Sequence, residues 1–522
     1  MDTPKDEQVA QSPESRRQVR STFCLTFALY AIQLIPILWG NRYHLEDWRR
    51  LTRGSYGWTG EGRPLTDVLL RILCLGGPLV DISPIPQILG IAALAGSGSW
   101  MARRFGLPPL RSALALFPLA ASPFFLENLS FRFDAIAMCA ALAFAILPIA
   151  IDNLRSFTAE CALGAICLLL SLCSYQTGIC AYFVFTVAEI GLLLQQQLEM
   201  KKLVRKLGVR TVQLVIAGLL YALVVRLTVV GTYNVEHVTL ISNPRDLHVL
   251  GQNWRDVWSS IYHALPGSIR NIYLIVWLLG TAALIFLGFS YVRAAWLRGN
   301  RFYAVLMSGA ILLLPGIWLV GAVGPALLPL HSNLSLPRIF VGVGALLSST
   351  IFVLCLASQR LAIPGKLVSA LLVVPAYPLL MLAAVFGNAQ REQASYENRI
   401  ASELTSAINT VRRTNVVSTL IVDGVVPYCP AAQIAEKKYR VLRVPRNLTN
   451  DRELGIYAHH IFEYYGINLP FESSPERRAE LVRRTTQTKP LVQNGDYDLF
   501  LVDQTLIVRF FGDSGVVYPG SG

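Results

Sequence analysis

The sequence predicts a polytopic α-helical membrane protein with a small soluble α/β domain near its C-terminal end. Charged residues make up only 15% of the 522 residues, against about 25% in average soluble proteins. Uncharged apolar runs of bilayer-spanning length recur along the chain, which is typical of transmembrane helices. After about residue 388 the composition becomes polar, and this change predicts the soluble domain.

The apolar runs predict about eleven transmembrane helices. The uncharged stretch between Glu160 and Glu189 is too long for one crossing, and its polar SYQTG break divides it into two helices. The predicted spans lie near 22–39, 83–101, 108–126, 135–151, a fifth that ends near Ser174, a sixth that ends near Gln195, 211–230, 271–291, 302–322, 339–358 and 367–387. A short amphipathic helix over 65–73 is expected on the outer membrane surface.

The distribution of Lys and Arg predicts the orientation, because the strongly basic short loops all fall on one side of the membrane. Residues 1–20 are then a disordered cytoplasmic tail. Residues 21–387 form the transmembrane domain with an external loop at 40–82, and residues 388–522 form the external soluble domain. The net charge of +13 comes largely from these loops, and no basic-aromatic groove motif accompanies it, which argues against nucleic acid as a partner.

One external region carries charges that the positive-inside rule does not explain. The segment YHLEDWRR at 43–50 holds two adjacent carboxylates, Glu46 and Asp47, just after the first predicted span. The other charged residues predicted at this membrane level are Arg49, Arg50, Arg63, Glu127, Arg132, Asp134 and Arg338. Such residues usually face a protein interior or a water-filled cavity, and salt bridges between helices are the alternative role for Glu127, Arg132 and Asp134.

These residue types suit acid–base and phosphate chemistry. A partly desolvated carboxylate beside an outward-facing cavity can accept a proton from a sugar hydroxyl as general base. Arginines can bind the phosphate of a lipid-linked donor and stabilise the negative charge that develops on it as the sugar leaves. The helix predicted at 65–73 would help to seat a lipid tail. Residues 40–82 are therefore predicted to be a catalytic external loop.

Four stretches resemble the membrane O-antigen glucosyltransferases of the serotype-converting Gtr type. The first, NRYHLEDWRRLTRGSYGWTGEGRPLTDVLLRIL (41–73), is similar to the amino-terminal signature of that family. The others are ENLSFRFDAIAM (127–138), SLCSYQTG (171–178) and VFGNAQREQASYENRIASEL (385–404). The resemblance covers most of the membrane part in the same order along the chain, and it is looser in the C-terminal domain.

The resemblance implies a C-type membrane glycosyltransferase (GT-C-like fold, EC 2.4 class) in the bacterial inner membrane, with its C-terminal domain in the periplasm. Such an enzyme transfers a sugar, here glucose, from a polyprenyl-phosphate carrier to a lipopolysaccharide O-antigen or another surface glycan. It works in contact with membrane lipid. A synthase of the lipid-linked sugar and a flippase are the implied partners in the same pathway.

Carried over by position, the resemblance assigns Glu46 and Asp47 as the base and its supporting acid. The family often has Asp-Asp at this pair, so the identity of the base stays open. The resemblance further implies donor phosphate contacts at Arg50 and Arg63, cavity walls at Arg132 and Asp134, and sugar hydroxyl contacts at Tyr175 and Gln176. By their charge and predicted membrane level, Arg49 is added to the phosphate contacts, and Glu127 and Arg338 to the cavity walls.

No resident metal site is predicted. No cysteine pair has zinc-ligand spacing, and His459–His460 has no third ligand in the sequence, although Glu46 and Asp47 could hold a divalent cation. The main alternative function is a transporter or flippase of lipid-linked glycans. That class should show inverted repeats and broken helices at mid-membrane, and the sequence has no internal repeat. A non-catalytic envelope scaffold would leave the acidic pair without a role.

Overall fold

The structure is a computed structural model that describes residues 13–151, 156–230, 241, 243–330, 336–450 and 456–512. Most of these residues are helical, and one small sheet lies in the C-terminal part. The helices of the first part are α1 (Pro13–Gly40), α2 (Leu45–Arg53), α3 (Pro64–Leu73), α4 (Ile85–Arg104), α5 (Pro109–Ala121), α6 (Pro123–Ser130), α7 (Ala135–Ala150), α8 (Phe157–Ser174), α9 (Cys180–Gln195), α10 (Met200–Thr228), α11 (Leu247–Ala264), α12 (Gly267–Leu297), α13 (Arg301–Leu327), α14 (Val341–Arg360) and α15 (Gly365–Thr414).

Among the described residues, eight helices are long and apolar enough to cross a membrane. Helices α5 and α6 form a ninth candidate, a pair bent by 67° that is either a broken span or a re-entrant loop. Helices lie at all eleven predicted positions. However, α7 has only 16 residues, and Gln87 with several small polar residues makes α4 less apolar. The chain is thus a helical membrane protein whose described residues contain eight or nine candidate spans, and the predicted number of eleven is not established.

The N-terminal prediction needs a correction. Residues 1–12 lie outside the described residues, but the tail predicted to be disordered up to residue 20 is helical from Pro13 onward. Helix α1 has 28 residues, which is longer than the about 20 that cross a bilayer. Its first turns carry Arg16, Arg17 and Arg20. This charged segment is therefore part of the same helix as the first predicted span and does not form a separate disordered tail.

Helix α15 has 50 residues, which corresponds to about 75 Å. It therefore continues the last predicted span, 367–387, into the polar C-terminal region without a break. The boundary predicted at 387/388 falls inside this helix. Gly387 is the site of a close approach to α1, because a Cβ added there would come 2.3 Å from the backbone C and O atoms of Pro36.

The C-terminal part contains a four-stranded sheet in the order β1-β4-β3-β2. Its strands are β1 (Thr419–Asp423), β2 (Val492–Gln493), β3 (Tyr497–Val502) and β4 (Thr505–Phe510), and its helices are α16 (Pro430–Lys438), α17 (Ile456–Tyr464) and α18 (Pro475–Arg484). Strands β1 and β4 are parallel, while β3 pairs antiparallel with β2 and β4. Strands β3 and β4 form a hairpin that turns at Asp503 and Gln504, whose φ angles of 46° and 63° are typical of a two-residue turn.

The helix predicted at 65–73 is present as α3. Its inner face carries Leu70, which is fully buried, and Thr66, whose hydroxyl donates to the backbone oxygen of Ser174 at 3.1 Å. Its outer face exposes Val68 and Ile72, the latter 65% exposed. This amphipathic pattern suits a helix that lies in a membrane surface.

Candidate active site

Helix α2 carries the acidic pair. The chain leaves α1 at Gly40, passes through a short non-helical segment and re-enters a helix at Leu45, with His44 as the preceding residue. Asp47 accepts a hydrogen bond from the backbone N–H of His44 at 3.1 Å, which satisfies one of the amides that a helix start leaves free. Successive helical residues point about 100° apart, so Glu46 and Asp47 face different surroundings.

Asp47 is fully buried, with 0% of its surface exposed. Its Oδ2 atom also accepts from the backbone N–H of Arg132 at 3.3 Å, while Oδ1 has no hydrogen-bond partner among the described residues. Burial and the nearby charge of Asp134 raise the pKa of Asp47 to about 8, although the two backbone hydrogen bonds act to lower it. Asp47 is therefore mostly neutral at neutral pH, and it fastens the start of α2 to the segment that precedes α7.

Glu46 has the opposite environment. Its side chain is 29% exposed, and its Oε1 lies 3.5 Å from Nη2 of Arg338. Burial opposes ionisation, but the charges of Arg338, Arg50 and Arg63 together outweigh it and lower the pKa of Glu46 to about 2. Glu46 is thus an accessible carboxylate held ionised by the cations around it.

Arg50 and Arg63 are both connected to the buried indole of Trp58. The guanidinium of Arg50 stacks 3.8 Å from the ring centroid of Trp58, and its Nη1 has no hydrogen-bond partner among the described residues. The indole N–H of Trp58 donates to Oδ2 of Asp134 at 3.1 Å, and Nη1 of Arg63 lies 3.4 Å from the same oxygen. Arg63 also pairs with Glu61. Aromatic stacking and the carboxylates therefore fix both guanidinium groups near Glu46.

A second set of contacts links helices far apart in the sequence. Oε1 of Glu127 lies 3.1 Å from Nε2 of His44 and 2.8 Å from Nη1 of Arg338. Burial lowers the pKa of His44, and this outweighs the opposing hydrogen bond to Glu127, so the imidazole is mostly neutral at pH 7. Arg338 contacts both Glu127 and Glu46, and it thereby joins the start of α14 to α6 and α2.

Arg132 serves mainly to hold the loop that follows α1. Its Nη1 donates to Oδ1 of Asn41 at 2.9 Å, its Nε lies 3.0 Å from Oδ2 of Asp81, and its guanidinium stacks 4.2 Å from the ring of Tyr43. The hydroxyl of Tyr43 donates to the same oxygen of Asp81 at 2.8 Å. The guanidinium of Arg132 is thus held by Asn41, Asp81 and Tyr43 in the segment before α7.

The SYQTG break forms a short turn between α8 and α9. The hydroxyl of Tyr175 donates to the backbone oxygen of Arg338 at 3.2 Å. The side-chain nitrogen of Gln176 donates to the backbone oxygen of Glu61 at 3.1 Å and to the hydroxyl of Tyr221 at 2.9 Å. The amide nitrogen of Gln176 thus donates to two protein acceptors. These hydrogen bonds hold in place the loop that carries Arg63.

Arg49 lies close to the C-terminal part. Its charge acts on His460 of α17, in the C-terminal part. On the same side of α2, the buried indole of Trp48 lies 5.4 Å from the ring of Tyr464 and belongs to the apolar core around Ile400. One face of α2 is thus covered by the C-terminal part, while Glu46 and Arg50 lie on the face toward the helix bundle.

Sequence reasoning missed two residues of the cluster. His44 immediately precedes the acidic helix, and its position beside the acidic pair was an available signal. Trp58 gave no chemical signal in the sequence, because its role depends on Arg50 above the ring and Asp134 at the indole nitrogen. Within the described ranges, no group of three or more His, Cys, Asp and Glu side chains has the arrangement of a metal site.

The fold and the site define the class of the protein: a helical membrane protein with a functional site of ionisable side chains. A bundle of apolar helices holds, at one of its ends, an ionised carboxylate among guanidinium groups, next to a C-terminal part that contains a sheet. Buried ionisable groups of this density in a membrane protein indicate a functional site.

The chain belongs to the GtrII glucosyl transferase family. The family model described as glucosyl transferase GtrII matches residues 36–349, more than half of the chain, and this confirms the resemblance seen in the sequence. The chain is also 29% identical over 221 residues to an uncharacterized 55.3 kDa protein in the gtrB 5′ region of Salmonella phage P22. That alignment covers 41% of this chain and 44% of the relative, so the chain spans less than half the length of the protein it matches. No solved structure shows a significant match.

Proposed function

We propose that this protein transfers a glucosyl residue from a polyprenyl-phosphate carrier to a surface glycan, a lipopolysaccharide O-antigen, on the periplasmic face of the bacterial inner membrane. Family membership supports glucosyl transfer. The main support for this mechanism is the partly exposed carboxylate of Glu46, which lies 3.5 Å from Arg338 and whose pKa is lowered by the charges of Arg338, Arg50 and Arg63. An acceptor hydroxyl and a phosphodiester need such a combination of base and cations.

Glu46 is the proposed general base. The acceptor hydroxyl passes its proton to the carboxylate of Glu46 while its oxygen forms a bond to the anomeric carbon of the sugar. The bond between that carbon and the phosphate oxygen breaks, and its electron pair leaves with the polyprenyl phosphate. Asp47 is less suited to this role because it is fully buried and its pKa of about 8 keeps it protonated at neutral pH.

Arg338, Arg50 and Arg63 are the proposed phosphate contacts. The leaving polyprenyl phosphate gains a negative charge in the transition state, and guanidinium groups placed beforehand stabilise that charge more than the substrate. Of the three predicted contacts, Arg50 and Arg63 keep this assignment, while Arg338 replaces Arg49, whose charge acts on His460.

Donor binding would also strengthen the base. In the free protein the surrounding cations lower the pKa of Glu46 to about 2, which makes a weak base. A donor phosphate bound to the same guanidinium groups offsets part of their charge, so the pKa of Glu46 rises toward its ordinary value. The carboxylate of Glu46 is then a stronger base when the donor is bound than in the empty site.

The test compares three variants in membranes supplied with radiolabelled polyprenyl-phosphate glucose and O-antigen acceptor. We expect Glu46→Gln to lower the rate of transfer about 10²- to 10⁴-fold, because the amide cannot accept the proton. Asp47→Asn should retain activity within about tenfold, since the amide resembles the neutral acid. The exposed Glu403→Gln on α15 is the matched control and should transfer at the wild-type rate.

Transfer at full rate by Glu46→Gln would refute the assignment of the base. Wild-type membranes that use a nucleotide sugar and ignore the lipid-linked donor would refute the donor class. Glycan analysis of the cell surface, with and without the protein, identifies the acceptor and the sugar.

A further inference from the structure

We propose that a groove between α1 and α4, at the end of the helix bundle away from Glu46, binds an anionic phospholipid of the cytoplasmic leaflet. The groove has a volume of about 410 Å³. The residues that line it are Ser15, Arg16, Val19, Arg20 and Phe23 of α1 and Gly96, Trp100 and Arg103 of α4. The length of α1 separates this groove from the candidate active site, so lipid binding here is independent of the proposed transfer reaction.

Three arginines line the end of the groove that lies at the helix termini. Arg16 and Arg20 are one helical turn apart at exposed positions near the start of α1, and Arg103 belongs to the last turn of α4. Within the described ranges, no Asp or Glu is among the lining residues. Guanidinium groups bind phosphate oxygens through charge-assisted hydrogen bonds, and basic pockets between membrane helices suit lipid headgroups. The charge of the groove thus matches a lipid phosphate.

Farther along α1, the groove becomes apolar. Val19 and Phe23 follow Arg16 by three and seven residues, so all three side chains share one face of the helix. The ring of Phe23 stacks 5.9 Å from that of Phe27, which extends the same face toward the middle of the span. A charged end that leads into an apolar wall is the pattern that an amphiphile needs.

Helix α4 shows the same pattern in the opposite chain direction. Trp100 and Gly96 precede Arg103 by three and seven residues and share its face. Trp100 is 41% exposed, and exposed indoles are typical of the membrane interface. A Cβ added at Gly96 would meet no other atom within 4 Å, so there is open space beside this part of the backbone. An acyl chain fits that space.

The first turns of α1 are held in place beside the groove. The side-chain nitrogen of Gln18 donates to the backbone oxygen of Leu107 at 2.8 Å, just beyond the end of α4. Thr22 and Thr26 are buried, so this other face of α1 packs against the bundle. By the positive-inside rule, this basic end of the bundle faces the cytoplasm. The anionic lipids of that leaflet attract basic side chains at the membrane surface.

The chain itself offers one other acidic occupant, the N-terminal segment with Asp2, Asp6 and Glu7, which lies outside the described residues. This segment is polar along most of its length. It therefore matches the arginines but not the apolar wall or the space beside Gly96. A phospholipid matches both parts of the groove, since it carries a phosphate and acyl chains.

The experiment titrates the full-length protein, purified in a neutral detergent, with phosphatidylglycerol or with phosphatidylcholine of the same acyl chains. Native mass spectrometry counts the bound lipid, and Tm reports the stabilisation that binding gives. We expect one tightly bound phosphatidylglycerol and a higher Tm, and no comparable effect of phosphatidylcholine. Arg16→Gln combined with Arg20→Gln should weaken phosphatidylglycerol binding about 10- to 30-fold, because two basic groups are lost from the headgroup site.

A second variant tests the apolar part of the groove. Gly96→Leu should weaken phosphatidylglycerol binding about tenfold, because its side chain takes the space of the acyl chain. The substitution suits the helix, since Leu has a higher helix propensity than Gly. The matched controls are Arg17→Gln, an exposed arginine of α1 outside the lining, and Gly208→Leu, at an open position on α10. Both controls should bind the lipid with wild-type affinity.

Four outcomes would overturn the proposal. The first is equal binding of the two lipids by the wild type. The second is wild-type affinity in either the double arginine variant or Gly96→Leu, which would place the lipid elsewhere. The third is binding only after removal of residues 2–12, which would make that segment the occupant. The fourth is a rise in Tm with inorganic phosphate equal to that with lipid, which would show a simple anion site. Tm measured without lipid verifies that each variant is folded.

Discussion

Glu46 and Asp47 are adjacent in the sequence but differ in protonation. Asp47 is enclosed by backbone amides and lies near Asp134, whereas Glu46 lies near Arg338 and Arg50. The sequence alone predicts the acidic pair as a site, because its charges break the pattern of the surrounding segments. It does not predict which carboxylate is ionised, since that depends on residues brought together from other helices. We therefore propose Glu46 as the base and a structural role for Asp47.

The raised pKa of Asp47 gives a prediction about stability and pH. An unfolded Asp titrates near about pH 4, and folded Asp47 titrates at about 8, so the folded state holds an additional proton between these values. This contribution to the free energy of unfolding is complete below about pH 4 and is lost as the pH rises through about 8. We therefore expect the Tm of purified wild type in detergent to fall from about pH 5 to about pH 9 more steeply than that of Asp47→Asn.

The exposed Asp256→Asn on α11 is the matched control for this comparison. It should follow the wild-type dependence of Tm on pH. Equal slopes for the wild type and Asp47→Asn would show that Asp47 is ionised in the folded protein at neutral pH. In that case the assignment of its role would have to change.

At the scale of elements, the placement of α2 depends on α15. Nη2 of Arg42 lies 3.0 and 2.9 Å from the two carboxylate oxygens of Glu397, and it also donates to the backbone oxygen of Pro445. Glu397 accepts from the backbone N–H of Asn447 at 3.1 Å, and the side chain of Asn447 donates to the backbone oxygen of Tyr43. The C-terminal part thus holds Arg42 and Tyr43, in the segment that leads into the acidic helix.

Sequence reasoning located these helices but divided α15 at residue 388. Gly387–Asn388 is a common stop signal for a helix, and the composition changes at the same point. In the structure Gly387 allows close packing against Pro36 of α1, and the helix continues. Composition reports which part of a helix meets lipid or water, and it says nothing about whether the backbone is interrupted.

The contact between Arg42 and Glu397 can be tested with Glu397→Gln. Both side chains are about 95% buried, and removing one charge of a buried pair typically costs about 3–5 kcal/mol. We expect a lower Tm together with a reduced rate of glucosyl transfer, because the start of α2 loses its anchor. Glu403→Gln on the same helix removes an exposed pair with Arg399 and should change neither quantity, since such pairs contribute about 0–1 kcal/mol. If Glu397→Gln has a lower Tm but transfers glucose at the wild-type rate, the contact between Arg42 and Glu397 stabilises the fold but is not needed for activity.

For the whole molecule, charged groups collect at two opposite ends of the helix bundle. The candidate site lies where α1 and α8 end and where α7 and α14 begin. At the other end, Glu189 lies 2.6 Å from Arg104 and 2.7 Å from Arg210, and Glu160 lies 2.6 Å from Lys206. The basic loops of the sequence belong to this second end. The distribution of Lys and Arg along the chain therefore predicted that the basic loops lie at the end opposite the acidic pair. It did not predict which charged side chains form pairs.

This separation, with the positive-inside rule, argues for an external C-terminal part, and two engineered cysteines test it. In a chain with Cys24 and Cys74 replaced by Ser, Glu480→Cys on α18 and Lys202→Cys on α10 are both at exposed positions. A thiol reagent that cannot cross the inner membrane should label Glu480→Cys in spheroplasts, and it should label Lys202→Cys only after permeabilisation. The reverse pattern would place Glu46 on the cytosolic side, where a donor on the outer leaflet is out of reach. Labelling of both without permeabilisation would mean that an odd number of spans does not separate the two positions.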